Sequence, residues 1–223
     1  HQSEKNIKNS IYSLPELDNN NYKKYNIISC PGCYPTSILL PLVPILKENL
    51  IKNNNIIIDS KSGYSGAGRS VHKKFKNKNL YQSLSVYGVS NHKHNSEIQE
   101  QLNKHIKKKV NYNFTPHLIP MFRGIFTSIY VELSDKSSTL KVINCLKKYY
   151  KKSFFVKIRK QNELLSTNSV INSNKCYISV CKLKDKKKLL ILSVIDNLIK
   201  GGSGQAVQNF NKLYNFKEYE SLK

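Results

Sequence analysis

Tyr25-Asn26-Ile27-Ile28-Ser29-Cys30-Pro31-Gly32-Cys33-Tyr34-Pro35-Thr36 is the stretch on which the fold turns. Tyr25 to Ile28 is a short apolar run of strand type, and the two prolines and glycine after it enforce a tight turn. From Ser37 to Leu50 the pattern is helical, with Pro41 and Pro44 expected to disturb or shorten the helix. The unit is strand, turn and helix, with Cys33 at the bend. A cysteine at that position meets the positive end of the helix dipole and unpaired backbone N–H groups, which lower a thiol pKa and favour a thiolate nucleophile. The plainer alternative is a buried structural cysteine, and that is the reading given to Cys30.

Working outward, Asn55 to Asp59 is strand-like and runs into the glycine-rich loop Ser62-Gly63-Tyr64-Ser65-Gly66-Ala67-Gly68-Arg69. Ser96 to Ile106 reads as a helix, with Ser96 as a cap and Glu97 early in the first turn. Residues 114–118, 124–133, 154–158, 176–183 and 189–195 read as strands, and 139–151 and 204–214 as helices. Several strands follow one another directly. The expected fold class is therefore α+β, a mixed and largely antiparallel sheet covered by helices.

The chain has 223 residues, 39% of them hydrophobic, and a formal net charge of +23. It can bury a substantial core, which argues against disorder, and it has neither a long apolar span nor a signal-peptide stretch. No membrane partner is expected. The charge invites a nucleic-acid reading, but only Arg69, Arg123 and Arg159 are arginines, and base readout favours the guanidinium fork. The lysines are scattered among abundant Asn and Ile, so the charge reads as base composition expressed on a tolerant surface, with no nucleic-acid partner. Five cysteines form no disulfide framework and fit a reduced, cytoplasmic protein. Cys30 and Cys33 form a C-x-x-C pair, but Cys176 and Cys181 are a poor second pair, so no metal is expected.

Three further constellations carry possible chemistry. His92 and His94, just ahead of a helix start, can supply a general base for a thiol; a surface accident is the alternative. Gly63, Gly66 and Gly68 let backbone N–H groups approach an anion, although the spacing is neither a phosphate-binding P-loop nor the dinucleotide fingerprint. Arg123, in a lysine-dominated chain, suits clamping a carboxylate or phosphate, or is an ordinary surface arginine.

Taken in order, Cys30 to Thr36, Ser62 to Arg69, His92-Lys93-His94, Phe114-Thr115-Pro116-His117-Leu118 with Arg123-Gly124-Ile125, and Asp196-Asn197-Leu198-Ile199-Lys200-Gly201 followed by Gly204-Gln205-Ala206-Val207-Gln208-Asn209 resemble the N-acetyl-gamma-glutamyl-phosphate reductase family. The resemblance implies a fold like the catalytic domain of glyceraldehyde-3-phosphate and aspartate-semialdehyde dehydrogenases. It also implies NADPH-dependent reduction of N-acetyl-glutamyl 5-phosphate to the 5-semialdehyde and phosphate through a cysteine thioester, in arginine biosynthesis. Cys33 is the implied nucleophile and His94 the implied base, with His92 as a second possibility. Arg123 and His117 are implied substrate contacts, and Ser65, Gly66, Gly68 and Asn197 the cofactor side.

The glycine fingerprint of such enzymes' nucleotide domain is absent. Residues 1–29 are accordingly read as the end of that domain, 30–195 as the catalytic domain and 196–223 as a segment whose helix returns to the nucleotide domain. The first residue is His1, so the sequence is expected to begin downstream of the start of translation. Lys93 and Ser96 stand where the family commonly has Arg and Pro, and any role of the residue-93 side chain is open. Self-association through a sheet face is expected. Open alternatives are a related reductase of aspartyl or carrier-linked aminoadipyl phosphate, an inactive remnant, or a basic nucleic-acid-binding module.

Overall fold

The computed structural model describes residues 3–18, 21–68 and 82–222; Arg69 of the glycine-rich loop lies outside them. A seven-stranded sheet has the order β4-β5-β3-β6-β9-β8-β7, from β3 (Ile56–Gly63), β4 (Ser85–Val86), β5 (Tyr112–Ile119), β6 (Ile125–Glu132), β7 (Val156–Ile158), β8 (Cys176–Lys182) and β9 (Lys188–Ile195). The β3–β5 and β7–β8 pairs are parallel and the other four antiparallel. The sheet is mixed and largely antiparallel, as the run of consecutive strands predicts. Among the described residues, no helix is long and apolar enough to cross a membrane.

Strand alternation sorts the two faces. Ile56, Ile58, Phe114, Ile129 and Ile191 point into the core, while Ile57 and Tyr130 are exposed on the far face. Against the core face lies α1 (Cys33–Lys47), flanked by α2 (Lys93–His105) and α3 (Thr139–Tyr149). A hydroxyl ladder seats the first turn of α1 on the sheet: Ser37 Oγ lies 2.8 Å from Thr127 Oγ1, which lies 2.9 Å from Ser60 Oγ.

The expectation that Pro41 and Pro44 shorten α1 is corrected by the structure. The helix starts at the bend and carries both prolines inside it, with every residue from Tyr34 to Leu46 buried. Pro44 lacks the N–H that would pair with the Leu40 carbonyl, and the Tyr150 hydroxyl donates to that carbonyl instead, at 2.6 Å. Tyr150→Phe leaves this buried acceptor unpaired and is expected to cost about 1–3 kcal/mol in urea unfolding. The cap of α2 also differs from expectation: His92 caps the helix four residues ahead of Ser96, its Nδ1 accepting from the His94 N–H at 3.1 Å.

The N-terminal segment forms a two-stranded parallel sheet, β1 (Ser10–Tyr12) with β2 (Ile27–Ser29). Between these strands the chain crosses the core helices like a strap, burying Leu14 and Leu17 in the main cluster. After β9, a π-helical turn (Ile199–Ser203) leads into α4 (Gly204–Leu213).

Candidate active site

The tight turn, the start of α2, the glycine loop and the π-helical turn meet around one cleft of about 520 Å3. Cys33, Tyr34, Gly66, Ala67, His94 and Gly201 are among its lining residues. Cys33 is the first residue of α1, and Gly32 is its cap. Lys93 is the first residue of α2, capped by His92. Two helix N-termini therefore converge on one cleft, and their partial positive charges favour an anion there. Lys93 adds a full charge.

Close packing explains two glycines. A methyl group at Gly32 would lie 2.5 Å from His94 Nε2, so the missing side chain is what lets the imidazole lie against the bend. A methyl group at Gly201 would lie 2.6 Å from Cys33 Cβ, so the π-helical turn touches the cysteine from behind. His94 packs edge-on to Tyr34 and His92, with ring centroids 5.9 and 4.8 Å away, and its Nδ1 is buried with no hydrogen-bond partner among the described residues.

Burial dominates the electrostatics of both candidate groups. It pushes the Cys33 thiol up to about 11, against the lowering by the Tyr34 and Cys33 backbone N–H groups and by Lys93. The depression expected from the helix terminus is thus outweighed in the resting cleft. Burial, with the nearby His92 and Lys93, holds His94 down to about 3, so its imidazole is neutral. His92 is lowered too, first by burial and then by Lys93. A thiol near 11 is ionised in about one molecule in 10⁴ at pH 7. Alkylation of Cys33 by iodoacetamide is therefore expected to accelerate about tenfold per unit of rising pH up to about pH 10, read by mass spectrometry of the Cys33 peptide. A plateau below pH 8 would contradict this.

Glu97 was visible in the sequence only as an early helix residue. In the structure its Oε1 accepts from the Gly32 N–H at 2.8 Å and from the Tyr12 hydroxyl at 2.9 Å, holding the bend from below. Its signal was the spacing from His94: once α2 begins at Lys93, the two lie one turn apart on the same helix face.

The other sequence-derived residues have different surroundings. Ser65, Gly66 and Gly68 belong to the loop at the cleft edge, and only Gly66 among them is a lining residue. Asn197 is buried behind that loop, its Nδ2 donating to Ser65 Oγ at 3.0 Å and its Oδ1 accepting from the Gly124 N–H at 2.6 Å. Arg123 bonds Asn172 Oδ1 and lies 3.4 Å from buried Asp196 Oδ2, away from the cleft lining. On β5, Leu118 lines the cleft, and strand alternation turns the His117 side chain to the far sheet face, where Nδ1 lies 3.2 Å from Asp59 Oδ1. Cys30 Sγ accepts from Asn209 Nδ2 at 3.4 Å. Among the described residues, no group of three or more His, Cys, Asp and Glu side chains is gathered to hold a metal.

Comparison with known proteins adds to this geometry. Residues 33–197 match the family model described as semialdehyde dehydrogenase, dimerisation domain. The chain is 42% identical over 217 residues to N-acetyl-gamma-glutamyl-phosphate reductase of Ehrlichia canis, covering 97% of this chain and 62% of the relative. It is 44% identical over 219 residues to the probable chloroplastic N-acetyl-gamma-glutamyl-phosphate reductase of Arabidopsis thaliana, covering 96% of this chain and 54% of that protein. The chain thus spans only part of the length of these relatives. The crystal structure of aspartate semialdehyde dehydrogenase II complexed with ASA from Vibrio cholerae superposes with a TM-score of 0.72 at 15% identity, covering 94% of this chain and 69% of that one. At that identity the likeness concerns the fold.

Proposed function

The chain belongs to the semialdehyde dehydrogenase dimerisation-domain family, and from that premise we propose that the protein containing it reduces N-acetyl-glutamyl 5-phosphate to N-acetyl-glutamate 5-semialdehyde and phosphate, using NADPH. The observation that carries this reading is Cys33 at the N-terminus of α1, with the neutral imidazole of His94 packed against the adjoining Gly32.

Cys33 is the nucleophile. Its thiol proton goes to His94 as Sγ bonds to the acyl carbon; the bond from that carbon to the phosphate oxygen breaks, and phosphate leaves with the electron pair. A thioester remains on Cys33. The two converging helix termini and Lys93 stabilise the charge that develops on the carbonyl oxygen and the leaving phosphate. His92, already spent on capping α2, orients His94. Arg123 and Asn197 act by bracing the loops beside the cleft. His117 belongs to the far face of the sheet, which we assign to contact with a second copy of the protein.

The residues present fit the nicotinamide end of a cofactor. Gly66, Ala67 and Gly201 leave part of the cleft wall free of bulky side chains, and Gly66 has no room for one, because a methyl group there would strike Ser62 Oγ at 2.5 Å. Ser65 and Gly68 complete that edge, and Asn197 fixes it from behind. When bound, the reduced cofactor supplies the hydrogen and two electrons that convert a thioester into an aldehyde. Cys33 then leaves as a thiolate and recovers a proton through His94.

The rest of such a cofactor needs a further domain. Helix α4 supports that reading, because it buries Gln205, Gln208, Asn209 and Asn211 while Val207 and Phe210 face outward, with Tyr214 and Phe216 exposed just beyond. An apolar outer face over a polar inner one suits docking against the nucleotide domain. The test is turnover of the full-length protein with NADPH on three acyl phosphates: N-acetyl-glutamyl, aspartyl and carrier-linked aminoadipyl. Preference for the first is expected; preference for either of the others would replace the substrate assignment.

A further inference from the structure

Lys200 is fully buried, the side chain of its ion-pair partner Glu16 is only 2% exposed, and Nζ lies 2.5 Å from Glu16 Oε1. The ammonium also donates to Gln208 Oε1 at 2.8 Å and lies 5.5 Å from the centre of the Phe155 ring. Gln208 Nε2 in turn donates to Glu16 Oε1 at 3.0 Å, closing a triangle. Its corners come from three separate parts of the chain: the N-terminal strap, the π-helical turn and α4.

A buried ion pair is a poor way to gain stability, because desolvating both charges offsets most of their attraction and apolar replacements of similar volume often do as well. What the pair fixes here is the position of the main chain beside it. The next residue is Gly201, packed on Cys33 so closely that a methyl group would lie 2.6 Å from Cys33 Cβ. The Lys200 carbonyl accepts from Gln205 Nε2 at 2.8 Å. The same Nε2 donates to Thr36 Oγ1 at 3.0 Å, and that hydroxyl donates to the Gly32 carbonyl at 2.9 Å. One connected path therefore runs from the buried charges to both sides of the bend.

We propose that the Lys200–Glu16 pair is a positioning device that presses Gly201 onto Cys33 and sets the orientation of its side chain. This rests on the reading of Cys33 as the nucleophile, and the test separates the two. The turn is held from below by the charge, so its release lets Gly201 withdraw, exposing the sulfur while misaligning it. Access and turnover of the folded protein should then move in opposite directions; because unfolding also exposes a buried thiol, labelling is read on the folded fraction.

The experiment compares the full-length protein with Lys200→Met/Glu16→Gln, which removes both charges and leaves neither unpaired. Glu16→Gln alone, nearly isosteric, leaves the buried Lys200 ammonium without its counter-ion and serves as the harsher variant. For the double variant, kcat on the acyl phosphate should fall about ten- to a hundredfold with KM little changed, since small misplacements of a reacting group cost that much. Labelling of Cys33 by iodoacetamide at pH 8 should rise by about threefold or more as the sulfur becomes accessible. In its folded fraction Glu16→Gln should move both quantities the same way by at least as much, because the stranded ammonium loosens the same turn. The proposal is overturned if both stay within about twofold of the parent, or if turnover falls only in proportion to the fraction unfolded while the folded fraction labels at the parent rate. If Cys33 of the parent does not label at any pH, the nucleophile reading fails and this proposal fails with it.

Discussion

Cys33→Ala in the full-length protein is expected to lower reductase turnover by about 10⁴-fold or more, the scale on which removal of a covalent nucleophile acts. The effect is large because the cleft supplies one sulfur at the point where the α1 terminus, His94 and Gly201 meet. Alanine keeps Cβ, the atom that Gly201 packs against, so the fold around the bend should persist with a melting temperature near that of the parent. The measurement is steady-state NADPH oxidation together with mass spectrometry of a rapidly quenched reaction. The parent should carry the acyl group on the Cys33 peptide, and the variant should carry none. Turnover of the variant at the parent rate would end the thioester mechanism.

His94→Asn should lower kcat by about 10² to 10⁴, the usual contribution of a positioned general base. The pH dependence makes this prediction sharper. In the resting protein the thiol is held up to about 11 and the imidazole down to about 3, both by burial, so at neutral pH the pair is uncharged. On the proposed mechanism the parent needs no pre-formed thiolate, since the proton moves as the sulfur attacks. Without the imidazole the thiol must ionise to solvent. A thiol whose pKa is raised becomes reactive as pH rises, so the variant should regain rate about tenfold per pH unit toward about pH 10 while the parent stays flat through neutrality. A variant that keeps the parent's flat profile would exclude His94 as the base.

The strands were legible because apolar runs of strand length leave few alternatives, and β6, β8 and β9 fall within two residues of their expected limits. In α1 the sequence misleads because proline reports a local cost. Whether that cost is met depends on a distant donor, and Tyr150 lies 110 residues from Leu40. The start of α2 lies ahead of the expected serine cap for a similar reason: serine is the commoner cap, and a histidine cap is recognisable only when its ring is seen turned back on the chain. That shift hid the shared face of His94 and Glu97.

For the site, residue types and spacing pointed to Cys33, His94 and the glycine loop without any coordinates. Spacing could not tell which side of a strand His117 faces relative to Leu118, nor that the Arg123 guanidinium is engaged by Asn172 and Asp196.

The amino-acid order alone determined the strand-turn-helix unit, the cysteine at its bend, and an α+β chain able to bury its core, because these follow from local sterics and hydrophobic period. Only the tertiary structure decided that His94 lies against Gly32, that Gly201 backs Cys33, and that desolvation outweighs the helix terminus in setting the thiol. Each of these depends on atoms brought together from distant parts of the chain, and neither a dielectric environment nor a packing contact is written in any single segment.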